Sequence, residues 1–218
     1  MKTTLCSVLT VIALGLAGNV QAYPIAIVNP SFESPDTTSV DHTVTGWTQG
    51  GIGGSGVWDI EAYDPGPPFW TVDAPDGSQV AFLSDAPAPG NASTLTQELT
   101  TLVAANTTYS LSGYVGHPVG FSTIYAATLY FGLTPVASTG PSTGPEGMFA
   151  PFNVVFDSTF TPGLVGEHLR IELLSVSAQT AFDAISLEAE TAAVPDGGLT
   201  ALLMGIGMTG LGWLRKRA

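Results

Sequence analysis

The side chains most often used in catalysis are sparse and scattered in this sequence of 218 residues. The three histidines, His42, His117 and His168, stand far apart, without the paired spacing or cysteine partners of a zinc site. No serine lies in a G-x-S-x-G elbow, and the GGIGGSG stretch does not link a strand to a helix as a phosphate-binding loop does. The carboxylates allow many acidic pairs, but abundance alone does not indicate glycoside hydrolysis. We therefore predict no catalytic residues and a non-enzymatic protein.

Aromatic residues in and near a proline-rich loop are the candidates for ligand contact. Phe69 and Trp70 lie in YDPGPPFWTVDAPDGS, where proline and glycine favour irregular chain, so we expect exposed rings there. Trp58 lies in a strand-like run, and its exposure is undecided. Trp47 follows a glycine beside such a run, where a core position is more common. Exposed flat rings bind the apolar faces of sugars, so Phe69, Trp70 and Trp58 are the predicted ligand-binding residues.

The amino-terminal segment has the pattern of a cleaved secretory signal. Lys2 precedes an apolar stretch from Val8 to Gly18, and Val20-Gln21-Ala22 places small residues at the two positions that a signal peptidase recognises. We predict a signal peptide over residues 1–22, with a buried amino-terminal helix as the alternative. Cys6, the single cysteine, lies inside it, so the mature chain is expected to lack disulfides and thiolate metal sites.

The body of the chain is predicted to be an all-β, two-sheet antiparallel sandwich. Short runs rich in Val, Ile, Thr, Tyr and Phe are separated by clusters of Gly, Pro, Asn, Asp and Ser. In Tyr109–Val115 and Leu169–Ser175, apolar and polar residues alternate, as in strands with one face on a second sheet and one in solvent. The stretches 35–56 and 63–78 are expected to be irregular. Further strands are expected near Ile25–Val28, Val57–Glu61, Gln79–Leu83, Ser93–Leu99, Ala126–Leu133, Phe152–Phe160 and Phe182–Glu188.

The charge of the chain restricts its partners. Eighteen acidic and five basic residues give a net charge of −13. Without the two predicted terminal segments, seventeen acidic residues and the single Arg170 remain, which gives −16. Such a surface repels phosphate backbones, so nucleic acid is not an expected partner. Divalent cations, calcium first, would compensate the charge outside a cell, and plain solvation of the carboxylates is the alternative.

The order of several short motifs resembles a galactose-binding-like jelly roll, the fold of many carbohydrate-binding modules. The motifs are NPSFE (Asn29–Glu33), Gly46-Trp47, DGSQVAFL, STLTQELTTLVAANTTYSLSGYVG and a closing FDAISLEA. In such domains, an acidic residue of the opening segment meets one of the last strand at a structural calcium ion, which implies Glu33 and Asp183 here. Two adjacent carboxylates would repel unless a cation or a proton joined them. Alternatively, Glu33 caps a turn and Asp183 accepts backbone hydrogen bonds.

The last 25 residues resemble a carboxy-terminal sorting signal of the PEP-CTERM class. The motif is similar to the VPDSG variant, with Gly197 in place of serine, and consists of Val194, Pro195, Asp196, Gly197 and Gly198. An apolar run, Leu199–Leu214, and a basic cluster, Arg215–Arg217, follow, so we expect a transmembrane helix over 199–214. The sandwich domain would then span 23–189 and the linker 190–193. The resemblance implies processing by an exosortase, and a plain single-pass anchor is the alternative.

Together these features predict a secreted, non-enzymatic β-sandwich that associates with exopolysaccharide in a biofilm matrix or at the cell surface. The precursor would be a single-pass membrane protein exported across the inner membrane. The expected partners are an exosortase, extracellular polysaccharide and the membrane. Calcium is the one cofactor expected. A carbohydrate-binding module is the first alternative, and a glycoside hydrolase-like enzyme is the second.

Overall fold

Twelve β-strands in two antiparallel sheets make up the part of the chain that the computed structural model describes. The all-β, two-sheet prediction is therefore confirmed. The described part comprises residues 21–64, 68–86, 88 and 90–191. Most of the predicted signal peptide, the VPDGG motif, the apolar run and the basic cluster lie outside it. Within it, no helix has the length and hydropathy needed to cross a membrane.

The two sheets differ in size. The five-stranded sheet has the order β3-β6-β11-β8-β9, and the seven-stranded sheet has the order β10-β7-β12-β5-β4-β2, with β1 added to β12. The strands of the smaller sheet are β3 (Thr48–Gly51), β6 (Ser93–Leu102), β8 (Tyr125–Phe131), β9 (Thr134–Ser138) and β11 (His168–Ser175). Those of the larger sheet are β1 (Gln21–Pro24), β2 (Val40–Asp41), β4 (Gly54–Asp59), β5 (Gln79–Ser84), β7 (Thr107–Gly116), β10 (Phe149–Asp157) and β12 (Gln179–Thr191). Two short 3₁₀ turns, Ser158–Phe160 and Pro162–Leu164, connect β10 to β11.

The core between the sheets follows the alternation of the strands. Leu169, Ile171 and Leu173 of β11 are fully buried, and the polar residues between them are half-buried. Tyr109 and Leu111 of β7 occupy the same layer from the opposite sheet. The one-sided pattern predicted for these two strands is confirmed, since alternate side chains of a strand point to opposite faces.

The larger sheet is also covered on its outer face, which the sequence analysis did not predict. Strands β4 and β5 are buried along nearly their whole length. A second apolar cluster lies on that face and joins Trp58, Val80 and Phe82 to Ile60 and Trp70 of the following loop. The loop after β4 therefore folds back over the sheet, because these rings would otherwise be exposed to water.

Two sequence predictions of secondary structure are wrong. The stretch 35–56 is not an open loop, since it contains β2, β3 and the start of β4. Its glycines form a tight turn in which the backbone N–H groups of Ile52 and Gly53 donate to the Ala92 carbonyl, at 3.0 and 2.9 Å. Ile25–Val28 is not a strand, because the ladder ends after β1. The Val28 N–H donates instead to the Gln97 side chain of the other sheet, at 2.8 Å.

Strand β12 changes register in its middle. Asp183 pairs with Tyr114 and Ser186 with Ser112, so β12 carries one extra residue, and Ala184 has a φ of 49°. Before this bulge, Phe182 faces the core between the sheets, whereas after it Ile185, Leu187 and Ala189 do. Even-numbered residues of β12 therefore face the core before the bulge, and odd-numbered residues face it after the bulge.

Candidate active site

A pocket of about 250 Å³ lies on the outer face of the larger sheet. It covers the ends of β4 and β5 and the first residue of β12. Its walls combine four aromatic rings with a histidine, a serine, an amide and one aliphatic side chain. The lining residues are Val40, His42, Trp58, Tyr63, Phe69, Phe82, Ser84 and Gln179.

Strand pairing brings the floor of the pocket together. Val40 of β2 pairs with Trp58 of β4. On β5, the strand beside β4, Phe82 pairs with Gly56 of β4. Ser84 pairs with Gln179 of β12. All of these positions point to the same face of the sheet, since directly paired residues share a face.

Gly56 allows β2 and the ring of Phe82, which line the pocket, to approach β4 closely. A Cβ atom at this position would lie 2.1 Å from the Asp41 carbonyl oxygen and 2.8 Å from Cε1 of Phe82. Both distances are shorter than a non-bonded contact allows. The sequence G-S-G-V-W-D therefore places glycine where β2 and the ring of Phe82 approach β4 most closely.

The loop after β4 supplies the aromatic wall. The indole N–H of Trp58 donates to the Tyr63 carbonyl at 2.7 Å, which fixes the start of the loop. Further along it, Phe69 meets Trp58 edge to face, with 6.2 Å between the ring centroids. The Val119 N–H donates to the Phe69 carbonyl at 2.9 Å, and Phe121 packs on the Phe69 ring at 5.8 Å. Residues of the loop after β7 thus hold Phe69 against the pocket.

His42 supplies the group best suited to proton transfer. Its ring meets Phe82 at 5.7 Å and an interplanar angle of 80°. Among the described lining residues, His42 and Tyr63 are the titratable ones, and neither aspartate nor glutamate is present. Histidine is the side chain that ordinarily changes charge between about pH 5 and 8.

A turn of the backbone holds His42 in place. The N–H and hydroxyl groups of Thr43 both donate to Oδ1 of Asp41, at 2.8 and 2.7 Å. These bonds, the hydroxyl's first, hold the pKa of the Asp41 carboxyl below its ordinary value. The His42 carbonyl accepts a bond from the Gln49 side chain at 3.0 Å. His42 was not among the predicted site residues, because the spacing between the three histidines does not single it out, whereas D-H-T is a local turn signal.

The three predicted ligand-binding aromatics have different positions. Phe69 is half-buried and lines the pocket, and Trp58 lines it while being almost fully buried. Trp70 is only 6% exposed and stacks on Phe149 at 4.5 Å, so the expectation of an exposed Trp70 ring is wrong. Trp47 is buried, as expected for a core residue.

Glu33 and Asp183 lie at one end of the loop that precedes β5. Oε1 of Glu33 accepts bonds from the N–H groups of Ser78 and Gln79, at 3.0 and 2.8 Å. Oδ2 of Asp183 accepts from the Asp76 N–H at 2.8 Å. The structure thus brings the two predicted metal ligands to a common loop, where both also make the backbone bonds of the alternative interpretation.

The electrostatics of this carboxylate group favour a positive charge. Burial raises the pKa of Asp183 to about 8, and the neighbouring charges of Asp76 and Glu33 add to the effect. Hard carboxylate oxygens are the ligands that calcium prefers, so the chemistry of these donors fits that ion. Within the described residues, no three acidic, histidine or cysteine side chains are already arranged around a common metal position.

Comparison with known proteins relates this fold to cyclases. A family model described as HpiC1-like, HpiC1 cyclase, matches residues 23–188. The solved structure of a cyclase from Fischerella sp. TAU is 26% identical, with a TM-score of 0.69, and the match covers 80% of this chain and all of that one. No curated protein matches the chain significantly.

Two further Fischerella sp. TAU structures contain small molecules. One is the Stig cyclase Fisc with (3Z)-3-(1-methyl-2-pyrrolidinylidene)-3H-indole, which is 26% identical at a TM-score of 0.71, with 79% of this chain and all of that one covered. The other is a cyclase with 4-(1H-indol-3-yl)butan-2-one, which is 25% identical at a TM-score of 0.69, with the same coverage. The tandem CBM22 domain of Paenibacillus barcinonensis Xyn10C is 18% identical at a TM-score of 0.50, with 82% of this chain and 48% of that one covered. That last similarity concerns the fold alone.

These comparisons correct the functional prediction. The resemblance to PEP-CTERM proteins with a carbohydrate-binding type of body is wrong, because residues 23–188 match a cyclase family. The non-enzymatic matrix protein, with its two carbohydrate-active alternatives, is wrong for the same reason. The partners that followed from it, an exosortase and extracellular polysaccharide, stay predictions.

Proposed function

Because the chain belongs to the HpiC1-like cyclase family, we propose that it is a cyclase that closes a ring on a small aromatic substrate bound beside His42. The observation that carries the proposal is the pocket itself, in which Trp58, Phe69 and Phe82 surround one imidazole. The two molecules bound in the Fischerella structures both contain an indole-type ring system. An indole-bearing substrate is therefore the first to test.

The pocket suits a flat, largely apolar molecule. Its volume of about 250 Å³ is below the roughly 300–1,000 Å³ of sites for drug-sized ligands. Aromatic faces also stabilise a neighbouring positive charge by about 0.5–2 kcal/mol per contact. A cationic intermediate would thus be favoured among these rings. Ser84 and Gln179 supply the polar groups that could orient a ring N–H.

Ring closure of this kind needs proton transfer and no oxidant. The protonated ring of His42 would deliver one proton to an unsaturated carbon and leave a cationic centre. A π electron pair of the substrate then forms the new carbon–carbon bond to that centre. Loss of one proton to the now neutral His42 completes an isomerisation in which no atom is gained or lost.

The test is turnover of indole-bearing alkenes by the wild type and by His42→Gln. General acid–base catalysis contributes about 10²- to 10⁴-fold, so His42→Gln should reduce kcat by at least ~100-fold. His168→Gln is the matched control, because His168 is an exposed histidine at the far end of β11. Equal kcat values for wild type and His42→Gln, with cyclised product formed, would contradict the role of His42. Absence of cyclised product with every such substrate would contradict the proposed function.

We also propose that calcium binds at Glu33 and Asp183 as a structural ion. The support is the loop before β5, to which both Glu33 and Asp183 bind, and the raised pKa of Asp183, to which the charges of Asp76 and Glu33 contribute. When bound, the ion would neutralise carboxylates that otherwise repel one another. Its effect would fall on stability, since the pocket lies on other parts of the sheet.

Export is a further proposal and rests on sequence alone. Residues 1–22 have the composition of a signal peptide, and the remaining chain contains no cysteine. We infer that the domain works outside the cytoplasm. Mass spectrometry of the protein from its native host should find a mature chain that begins at Tyr23, and an intact Met1 terminus would contradict export by cleavage.

A further inference from the structure

Four exposed apolar side chains lie at the end of the sandwich where β6, β8 and β10 finish. Leu133 is 83% exposed and Phe160 78%, and both are among the most exposed large apolar residues of the described part. Leu102 and Val165 are also exposed. We call these four residues the apolar end.

Hydrogen bonds connect the segments that carry these four residues. The Gly132 N–H donates to the His168 carbonyl at 2.7 Å, which places the 132–133 turn beside the start of β11. The Val103 N–H donates to the Glu167 carbonyl at 2.8 Å, which places the end of β6 beside the same segment. The Ser158 hydroxyl, two residues before Phe160, donates to the Ala104 carbonyl at 2.8 Å, which places the Phe160 segment beside the end of β6. The four residues therefore lie on neighbouring segments at one end of the sandwich.

The positions of these side chains are unusual. Leu133 is the second residue of the two-residue turn between β8 and β9, and Phe160 is the last residue of a 3₁₀ turn. Exposed turn positions usually carry Gly, Asn, Asp or Ser. Single exposed apolar residues are common on soluble proteins, but several together mark an interaction surface.

Both ends of the described chain leave the sandwich at this surface. Gln21 of β1 pairs with Thr191, the last residue of β12, and Thr191 pairs with Thr107. The Thr107 N–H donates to the Ser158 hydroxyl at 2.9 Å, two residues before Phe160. The chain that follows Thr191 contains the apolar run 199–214 and three basic residues. Sequences of that composition favour a membrane.

We propose that the apolar end faces a lipid bilayer, with Phe160 and Leu133 in contact with a zwitterionic lipid interface. The pocket then lies far from the membrane, because β12 runs from Gln179 in the pocket to Thr191 at the apolar end. Its twelve residue steps span roughly 40 Å at about 3.3 Å each.

The charged residues at the apolar end favour a neutral lipid surface over an anionic lipid surface or a second copy of the chain. Asp157, Glu167 and Glu190 lie at the same end of the sandwich. These carboxylates disfavour an anionic lipid surface. They would also face their own copies in a two-fold dimer through this end, since such an interface joins identical patches. A neutral lipid surface carries neither penalty.

The test places a fluorescent label at each surface of the chain that begins at Tyr23, which contains no cysteine of its own. Phe160→Cys, Leu133→Cys and Ile52→Cys would be labelled with an environment-sensitive dye and reconstituted into phosphatidylcholine vesicles. Ile52 is the matched control, because it is 73% exposed and lies in the turn before β4, at the pocket end. Nitroxide-bearing lipid should quench the labels at 160 and 133 severalfold more strongly than the label at 52.

Three results would overturn the proposal. Equal quenching at the three positions would show that the apolar end has no preferred contact with lipid. Failure of the chain to bind phosphatidylcholine vesicles would show the same. A disulfide-linked dimer of the Phe160→Cys variant without lipid, together with weak quenching at position 160 in vesicles, would assign the surface to a second copy. All three substituted side chains are largely exposed, so folding is expected to be retained, and equal melting temperatures would confirm it.

Discussion

His42 is positioned by its backbone and by one aromatic ring. The turn closed by Asp41 and Thr43 fixes the main chain, Gln49 holds the carbonyl, and Phe82 packs against the imidazole. The imidazole is thus held at the wall of the pocket while it stays exposed. His117, by contrast, is buried, and its Nδ1 atom lies 3.1 Å from the Pro118 carbonyl oxygen.

Loss of the turn should reduce activity more than stability. In Asp41→Ala the two bonds from Thr43 disappear, but the site is exposed, so the melting temperature should change by less than about 2 °C. We expect kcat to fall by roughly tenfold, because misplacement of a proton donor lowers the rate of transfer. Asp41→Asn keeps the acceptor oxygen and is the control. A loss of kcat as large in Asp41→Asn as in Asp41→Ala would contradict the role of the turn.

Asp183 should decide whether calcium stabilises the fold. Calcium added to chelated wild-type protein is expected to raise the melting temperature by several degrees, since a ligand that binds the folded state alone stabilises it. Asp183→Asn should abolish this shift, because it removes a charged ligand. Asp73→Asn, at an exposed acid, should keep it. If EDTA leaves the melting temperature of the wild type unchanged, the calcium proposal fails.

At the scale of elements, the strands with one buried face were predictable and the pocket was not. Tyr109–Val115 and Leu169–Ser175 alternate apolar and polar residues, so the sequence carries their orientation. Strands β4 and β5 are buried on both faces because a loop folds over the outer one, and no alternation records this. The glycine-rich stretch GGIGGSG was wrongly predicted to be part of an irregular segment for a related reason. Its glycines permit close approach of neighbouring strands, a role that composition cannot distinguish from flexibility.

Gly56 should be intolerant of a side chain. In Gly56→Ala the new methyl group would meet the Asp41 carbonyl and the Phe82 ring, so β2 must move. We expect a loss of about 1–3 kcal/mol in the free energy of unfolding, as for other overpacked sites. Denaturant unfolding measures the effect. Gly163→Ala, which has open space around it, is the control, and equal stability of the two variants would contradict the argument.

At the scale of the whole molecule, the net charge of −13 opposes compaction. Arg170 pairs with Glu172 at 3.0 Å, and in the described part this ion pair has no counterpart. Added salt shortens the range of repulsion from about 10 Å at 0.1 M to about 3 Å at 1 M. Raising NaCl from about 0.05 to about 0.5 M, with calcium chelated, should therefore raise the melting temperature by about 2–5 °C. An unchanged or lower melting temperature would contradict this.

The function of the whole molecule was predicted wrongly because fold and function separate at this scale. A β-sandwich can carry carbohydrate-binding modules or cyclases, because function depends on the residues of a site and not on the fold. In this chain the pocket lies on the outer face of the larger sheet. That face carries Trp58 and Phe82, and the histidine of the pocket, His42, directly follows the edge strand β2. None of these residues forms a motif in the linear sequence. The acidic composition and the terminal segments are easy to recognise in the sequence, but neither contains information about the pocket.

The bulge in β12 makes the length of that strand a stricter requirement than its composition. Its first half presents Gln179 to the pocket, and its second half presents Leu187 and Ala189 to the core. Removal of Ala184 would restore regular pairing and leave both halves on their present faces, because Asp183 would still pair with Tyr114 and Ser186 with Ser112. A deletion elsewhere in β12 would instead turn the residues beyond it to the opposite face of the sheet. Relatives with this pocket should therefore vary freely in residue type along the exposed positions of β12, with any change in its length confined to the bulge.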